Sequence, residues 1–245
     1  MLEKVDLSLK MDEEVYKTEL KKEQMKLLAL QRALVEHKLG CIIVFEGWDA
    51  AGKGSAIKRV VEKIDPRGLE VHATGAPNLE EKQHHYLQRF LDRMPKYEKI
   101  GIFDRSWYGR VLVERVEELA EEEEWTRAYD QINQMEKIFA QEDYFIIKFW
   151  FHISKEEQLK RFRERQNNPL KRWKITEEDW RNREKWDEYK IAVEDMLYKT
   201  DTKHAPWHVI EGEDKNFARV KTLKTIISTI EEGCKGREID LGQYF

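Results

Sequence analysis

The chain has 245 residues, a formal net charge of -4, 38% charged residues and two cysteines, Cys41 and Cys234. That length can bury a substantial core, and the acidic balance argues against general coating of nucleic acid. Two cysteines neither staple a disulfide scaffold nor show metal-site spacing, and with no apolar signal region and no run near ~18 apolar residues the expected setting is a reducing cytoplasm without a membrane partner.

Residues 13–38, rich in Lys, Glu and Gln, carry Leu20, Leu27, Leu30 and Leu34 at helical spacing. This predicts an amphipathic helix that lies on the domain or on another subunit. Next, Cys41-Ile-Ile-Val-Phe45 is rich in β-branched residues and predicts a buried strand over 41–46. Gly47-Trp-Asp-Ala-Ala-Gly-Lys-Gly54 follows, and then Ile57, Val60, Val61 and Ile64 recur at helical spacing. Strand, glycine loop and helix together make Gly47-x-x-x-x-Gly52-Lys53 a phosphate cradle. Glycines let backbone N–H groups turn inward, the helix N-terminus favours anions, and the lysine reaches the phosphates. Gly47, Ala50, Ala51, Gly52, Lys53, Gly54 and Ser55 are the candidate phosphate-binding residues. The usual motif follows lysine with a Ser or Thr whose hydroxyl holds Mg²⁺. Here that position is Gly54, and an extra acid, Asp49, sits inside the loop.

Further strands are expected over 69–73, 100–104, 145–152 and 207–211. Helices are expected near 53–64, 79–94, 106–116, 125–140, 154–166, 177–199 and 214–232. Ser154-Lys-Glu-Glu157 and Thr176-Glu-Glu-Asp179 read as capping boxes. Alternating strands and helices predict an α/β fold, a parallel sheet of about five strands covered by helices on both faces. Without repeats or Pro/Gly-rich linkers, one domain over 1–245 is expected, with 1–39 as an N-terminal helical extension. Six glutamates between 117 and 124 read as a solvated helix end or loop, and most of the eight tryptophans, such as Trp150 and Trp207, as core. His84 and His85 are adjacent and point to different sides of a helix, so they carry no metal reading.

Gly75 follows the second strand, with Arg89 and Arg93 four apart on the next predicted helix. These could bind an acceptor phosphate, although a turn and a solvated helix face explain them nearly as well. Ile100-Gly-Ile-Phe-Asp104 is an apolar run ending in an acid, followed by Arg105-Ser-Trp-Tyr-Gly-Arg110. Alone, Asp104 could be a helix cap; beside a phosphate loop it reads as the second carboxylate that such loops need for their metal. Asp49 and Asp104 then form a carboxylate pair suited to Mg²⁺ (or Mn²⁺), a hard cation that prefers oxygen ligands. From Lys160 to Lys174 seven cations stand against one acid. Arg161 and Arg165 share a helix face, and Asn167-Asn168-Pro169 must break that helix. A mobile basic lid over about 158–176 is the reading here, with Arg161, Lys171 and Arg172 toward phosphates; a solvated surface is the alternative. A lysine, two carboxylates and several arginines are what phosphoryl transfer asks of a protein, with no covalent nucleophile required.

Gly47-Trp-Asp-Ala-Ala-Gly-Lys-Gly54, Phe103-Asp-Arg-Ser-Trp-Tyr108 and Pro169-Leu-Lys-Arg-Trp-Lys174 together resemble the polyphosphate kinase 2 family, over a span from about Gly40 to the last predicted helix. The resemblance implies a P-loop kinase fold with a helical lid, and Mg²⁺-dependent phosphoryl transfer between inorganic polyphosphate and a nucleotide. It also implies that the loop carboxylate replaces the missing hydroxyl. By motif position, Asp49, Lys53, Asp104, Arg105 and Arg165 are the implied catalytic residues, with Lys171 and Arg172 in the lid. Asp104-Arg-Ser-Trp-Tyr-Gly-Arg-Val-Leu-Val-Glu-Arg115 is most similar to polyphosphate:AMP phosphotransferases, in which the domain often occurs as a fused pair; this sequence has one copy. Another branch, acting on both AMP and ADP, tends to carry Asn at position 104 and His at 107. The expected partners are polyphosphate and a purine nucleotide, AMP to ADP first and ADP to ATP second, with a homo-oligomer and no nucleic acid. An ATP-dependent nucleoside monophosphate kinase and a non-enzymatic nucleotide-binding module are the competing readings.

Overall fold

Strand β1 (Gly40–Gly47) is buried along almost its whole length because it runs through the middle of the sheet. In the computed structural model, which describes residues 2–245, it is joined by β2 (Leu69–Ala73), β3 (Ile100–Asp104), β4 (Tyr144–His152) and β5 (Trp207–Glu211) in the order β2-β3-β1-β4-β5. All pairs are parallel. β1 and β4 are apolar along most of their length, as strands covered on both faces tend to be. Register places Phe45 opposite Asp104, so that carboxylate stands at the mouth of the loop leaving β1. β1 pairs with β3 on one side and β4 on the other; at such a reversal α/β sheets open a crevice beyond their carboxyl ends.

The helices are α1 (Glu13–Glu36), α2 (Lys53–Val61), α3 (Gln88–Leu91), α4 (Val113–Val116), α5 (Glu122–Gln141), α6 (Lys155–Asn167), α7 (Glu177–Glu184), α8 (Trp186–Thr200) and α9 (Lys215–Lys235). Asp12 caps α1 by accepting from the Glu14 and Val15 amides. The leucine stripe of α1 packs against α9 and α2, with Leu27, Leu30 and Leu34 fully buried, so the N-terminal helix lies on the domain itself. On the other face α4, α5 and α8 pack together. Both cysteines are buried and unpaired. Among the described residues no helix is long and apolar enough to cross a membrane.

Three expected helices differ. The stretch 79–94 holds only a 3-10 turn, Glu81–Gln83, and the short α3. Asn78 and Glu81 each accept the other's backbone N–H, a local closure that competes with helix propagation. Arg93 therefore follows α3 instead of riding on it. The stretch 106–116 is a 3-10 turn, Trp107–Val111, and then α4, because both aromatic side chains turn inward to Glu136. The stretch 177–199 is two helices meeting at Lys185, whose ammonium reaches the Val116 carbonyl and Glu117. The glutamate run is structured at both ends. Glu117 pairs with Arg181 and Lys185, and Glu121 with Glu124 forms the capping box that opens α5. Thr176 and Asp179 complete the expected box of α7. At α6, Ser154 caps the Glu157 amide, but the Glu157 carboxylate turns to Arg161.

One charge interrupts the apolar run of β4. Lys148 is wholly buried and donates to Glu136, the Tyr108 hydroxyl and the Thr200 carbonyl, each at 2.8 Å. Tyr108 and Trp107 also donate to Glu136, at 2.8 and 3.1 Å. A buried ion pair persists only when its remaining hydrogen bonds are satisfied, and here they lock the Trp-Tyr turn that follows Asp104.

Candidate active site

The loop between β1 and α2 is shaped by backbone that ordinary residues resist. Gly47 has φ 149°, and a Cβ there would lie 2.6 Å from the Phe151 carbonyl oxygen. Gly52, the residue before α2, has φ 116°, and Ala50 adopts φ 62°. The Lys53 ammonium donates to the Gly47 and Trp48 carbonyls at 2.7 and 3.1 Å, curling the loop around itself. Burial pulls this ammonium below the usual lysine range, while Asp49 and, more weakly, Asp104 pull it back up. At Gly54 a Cβ would meet nothing within 4 Å. A serine or threonine would fit, so crowding does not explain the missing hydroxyl.

Both oxygens of Asp49 are engaged. Arg105 donates to one at 3.1 Å, and the Asn182 amide donates to the other at 3.0 Å. Gln158 donates to the Asp49 carbonyl at 3.2 Å. Arg105 is exposed and sits at φ 63°, a left-handed conformation that costs any residue with a Cβ energy, held by its N–H on the Phe45 carbonyl. Ser106, next along, gives its N–H and hydroxyl to the buried Glu46 at 2.7 and 2.8 Å. Burial raises the Glu46 carboxyl above the ordinary range, opposed by those bonds and by Lys53.

An open cavity of about 740 Å³ lies over the loop and brings together Asp49 through Ser55, Asp104, Arg105, Arg161, Arg165 and Lys171. Its wall also includes Lys58, Lys174, Lys215 and Arg219, giving nine cations against Asp49, Asp104, Glu164, Glu178 and Asp179. In a chain of net charge -4 that excess of four is local and suits a polyanion. Arg165 donates to the Lys174 carbonyl at 3.3 Å, joining α6 to the basic segment beyond its break.

Three expectations about individual residues change. The Arg161 side chain lies beneath the loop, 3% exposed, and donates to the carbonyls of Ala50, Ala51, Gly212 and Glu213 and to Glu157. With its donors spent on protein oxygens, it ties the loop to the turn after β5 instead of greeting phosphate. Arg172 is not among the residues lining the cavity and donates through Nε to the Gln166 carbonyl. On the acceptor side Arg89 donates to the Gly75 carbonyl and pairs with Glu81, which also takes Arg93. That cluster is closed on itself and lies outside the cavity lining.

Sequence reasoning missed Glu46, Gln158 and Asn182. A glutamate ending an apolar strand just before Gly47 was a visible signal for Glu46; nothing local marks Gln158 or Asn182, which act 109 and 133 residues from Asp49. Among the described residues no group of three or more His, Cys, Asp or Glu forms a metal cluster. Asp49 and Asp104 nevertheless supply hard oxygen donors to one cavity, which fits Mg²⁺ or Mn²⁺ completed by water and phosphate oxygens.

Residues 10–238 match the family model described as Polyphosphate kinase 2 (PPK2). The chain is 47% identical over 235 residues to a polyphosphate:AMP phosphotransferase of Pseudomonas aeruginosa, covering 96% of this chain and 47% of that protein. It is 39% identical over 207 residues to ADP-polyphosphate phosphotransferase 2 of Rhizobium meliloti, covering 84% and 68%. The crystal structure of polyphosphate kinase 2 from Arthrobacter aurescens TC1 superposes with a TM-score of 0.91 at 32% identity, over 98% of this chain and 87% of that one. The chain spans about half the length of the polyphosphate:AMP phosphotransferases it resembles.

Proposed function

Because the chain belongs to the polyphosphate kinase 2 family, we propose that it transfers a phosphoryl group between inorganic polyphosphate and a nucleotide, with AMP as first acceptor and ADP as product. One observation carries the reading: a phosphate loop without its hydroxyl holds an internal carboxylate, Asp49, on the wall of a cavity with nine cations. In the forward direction the terminal phosphoanhydride bond of polyphosphate breaks, and a bond forms between its phosphorus and an oxygen of the AMP phosphate. That acceptor oxygen is already anionic near neutral pH, since a phosphate monoester has its second pKa at about 6. No general base is needed, and the work left to the protein is alignment and charge compensation.

Lys53 exchanges its two carbonyl bonds for phosphate oxygens, and the backbone N–H groups at the start of α2 face the same anion. Arg105 and Arg165 compensate charge on the transferring group, with Lys171 and Lys174 along the chain of the donor. Asp49 and Asp104 would hold Mg²⁺ or Mn²⁺, which when bound neutralises and orders phosphate oxygens. The test is incubation with Mg²⁺ and AMP, ADP, GMP or GDP, using polyphosphate or ATP as donor, followed by chromatography. ADP from polyphosphate plus AMP is expected, lost with EDTA and restored by Mg²⁺. Product from ATP plus AMP but none from polyphosphate would identify an ATP-dependent nucleoside monophosphate kinase instead.

A further inference from the structure

The loop carboxylate is gripped from an unexpected side. Asn182 lies in the last turn of α7, a helix that starts directly after the basic segment, and its amide N–H reaches Asp49 Oδ2 at 3.0 Å. Its other end, Oδ1, accepts from the Tyr189 hydroxyl at 3.2 Å, one helix further on in α8. An ionised carboxylate can only accept, so the amide nitrogen must face Asp49 and the amide oxygen must face Tyr189. Tyr189 is buried, and burial together with nearby negative charge raises its hydroxyl above the ordinary tyrosine range, so it remains a donor. A second contact joins the α7–α8 corner to the loop: Trp186, first residue of α8, stacks on Trp48 of the loop, with ring centroids 3.9 Å apart and planes 14° apart.

We infer that Asn182 is a positioning residue that aims the Asp49 carboxylate at the cavity, with Tyr189 fixing which end of the amide faces it. Each oxygen of Asp49 still has lone-pair capacity after accepting one bond, so Arg105 and Asn182 can set its orientation without consuming it as a ligand. The α7–α8 corner thereby couples the basic segment to the phosphate loop. This inference rests on the proposed role of Asp49 as a metal-holding group. Partners that orient ligand carboxylates typically matter by about 10-fold or more in metal affinity.

The test is titration of the protein with Mn²⁺ alone, followed by the electron paramagnetic resonance signal of the free ion, for wild type, Asp49→Asn, Asn182→Ala, Tyr189→Phe and the double variant. Loss of binding is expected in Asp49→Asn, and about 10-fold weaker binding in Asn182→Ala. A smaller weakening is expected in Tyr189→Phe, and the double variant should match Asn182→Ala, because Tyr189 acts through the amide. Tyr189→Phe removes one hydroxyl and keeps the ring, so it tests the relay even if Asn182→Ala folds poorly. Unchanged or tighter binding in Asn182→Ala, with normal wild-type binding, overturns the inference and leaves the proposed function standing. Additive effects in the double variant overturn the role of Tyr189. A wild type with no site for Mn²⁺, or an Asp49→Asn variant that binds like wild type, removes the metal role of Asp49 and the inference with it.

Discussion

Acid should destabilise the protein through His152, at the end of β4 beneath the phosphate loop. Its Nδ1 accepts the indole N–H of Trp48 at 3.0 Å, so a proton on that nitrogen would face a donor. Burial lowers its pKa from 6.5 to about 4, against an opposing pull from Glu194 and Glu213. The unfolded chain takes up this proton near pH 6.5 and the folded chain only near pH 4. Stability from the neutral ring is therefore fully present above about pH 6.5 and is lost progressively as pH falls toward about 4. Between about pH 7.5 and pH 5 the loss comes to ~2 kcal/mol, from one proton and a shift of ~2.5 units. For a chain of this size that corresponds to a fall of about 4–8 °C in melting temperature. Thermal melts by circular dichroism at the two pH values, on wild type and His152→Gln, isolate the effect. Glutamine can still accept from Trp48 but takes up no proton, and all other titrating groups cancel between the two proteins. A His152→Gln variant that loses as many degrees on acidification as wild type would refute this reasoning.

Other expectations concern turnover and the loop. Lys53→Ala, Asp49→Asn and Asp104→Asn should each lower the rate by ~10²–10³ while the chain still folds; a near-normal rate in Asp49→Asn would reduce that carboxylate to a turn former. Lys171→Ala should weaken long-chain polyphosphate and flatten the dependence of its apparent affinity on salt, since exposed charges are screened within ~8 Å at physiological ionic strength. Arg172→Ala should do much less, and initial rates at two salt levels separate the two variants. Arg161→Met should cost on the order of 3 kcal/mol in urea unfolding, because it strands several carbonyls and Glu157, and Arg161→Lys should recover only part.

Much of this molecule can be read from its sequence because central parallel strands are apolar on both faces. The run 100–104 coincides with β3, the runs 41–46 and 145–152 fall within one residue of the ends of β1 and β4, and the glycine loop sits where its spacing places it. Helix boundaries were less legible where side chains compete with the backbone, as Asn78 and Glu81 do. The break at Lys185 depends on Val116 and Glu117, about seventy residues away, which no local pattern announces. Charge type alone misplaced Arg161: a guanidinium in a basic run looks like a phosphate ligand until its carbonyl partners, over a hundred residues back, are seen. The buried pair of Lys148 and Glu136 left half a trace, since a lysine inside Tyr144-Phe-Ile-Ile-Lys-Phe-Trp150 demands a partner without naming it.

The face-to-face contact of Trp48 and Trp186 also has an optical meaning. Two indoles with centroids 3.9 Å apart have electronic transitions that couple strongly. The folded chain should therefore carry an exciton contribution in its far-ultraviolet circular dichroism that Trp186→Phe removes, even against the background of the other tryptophans. One chromophore rides on the phosphate loop and the other on the corner below the basic segment. Rapid mixing with substrate would then report any change in the distance or angle between those two elements in real time, using light absorbed by the native chain and no attached label.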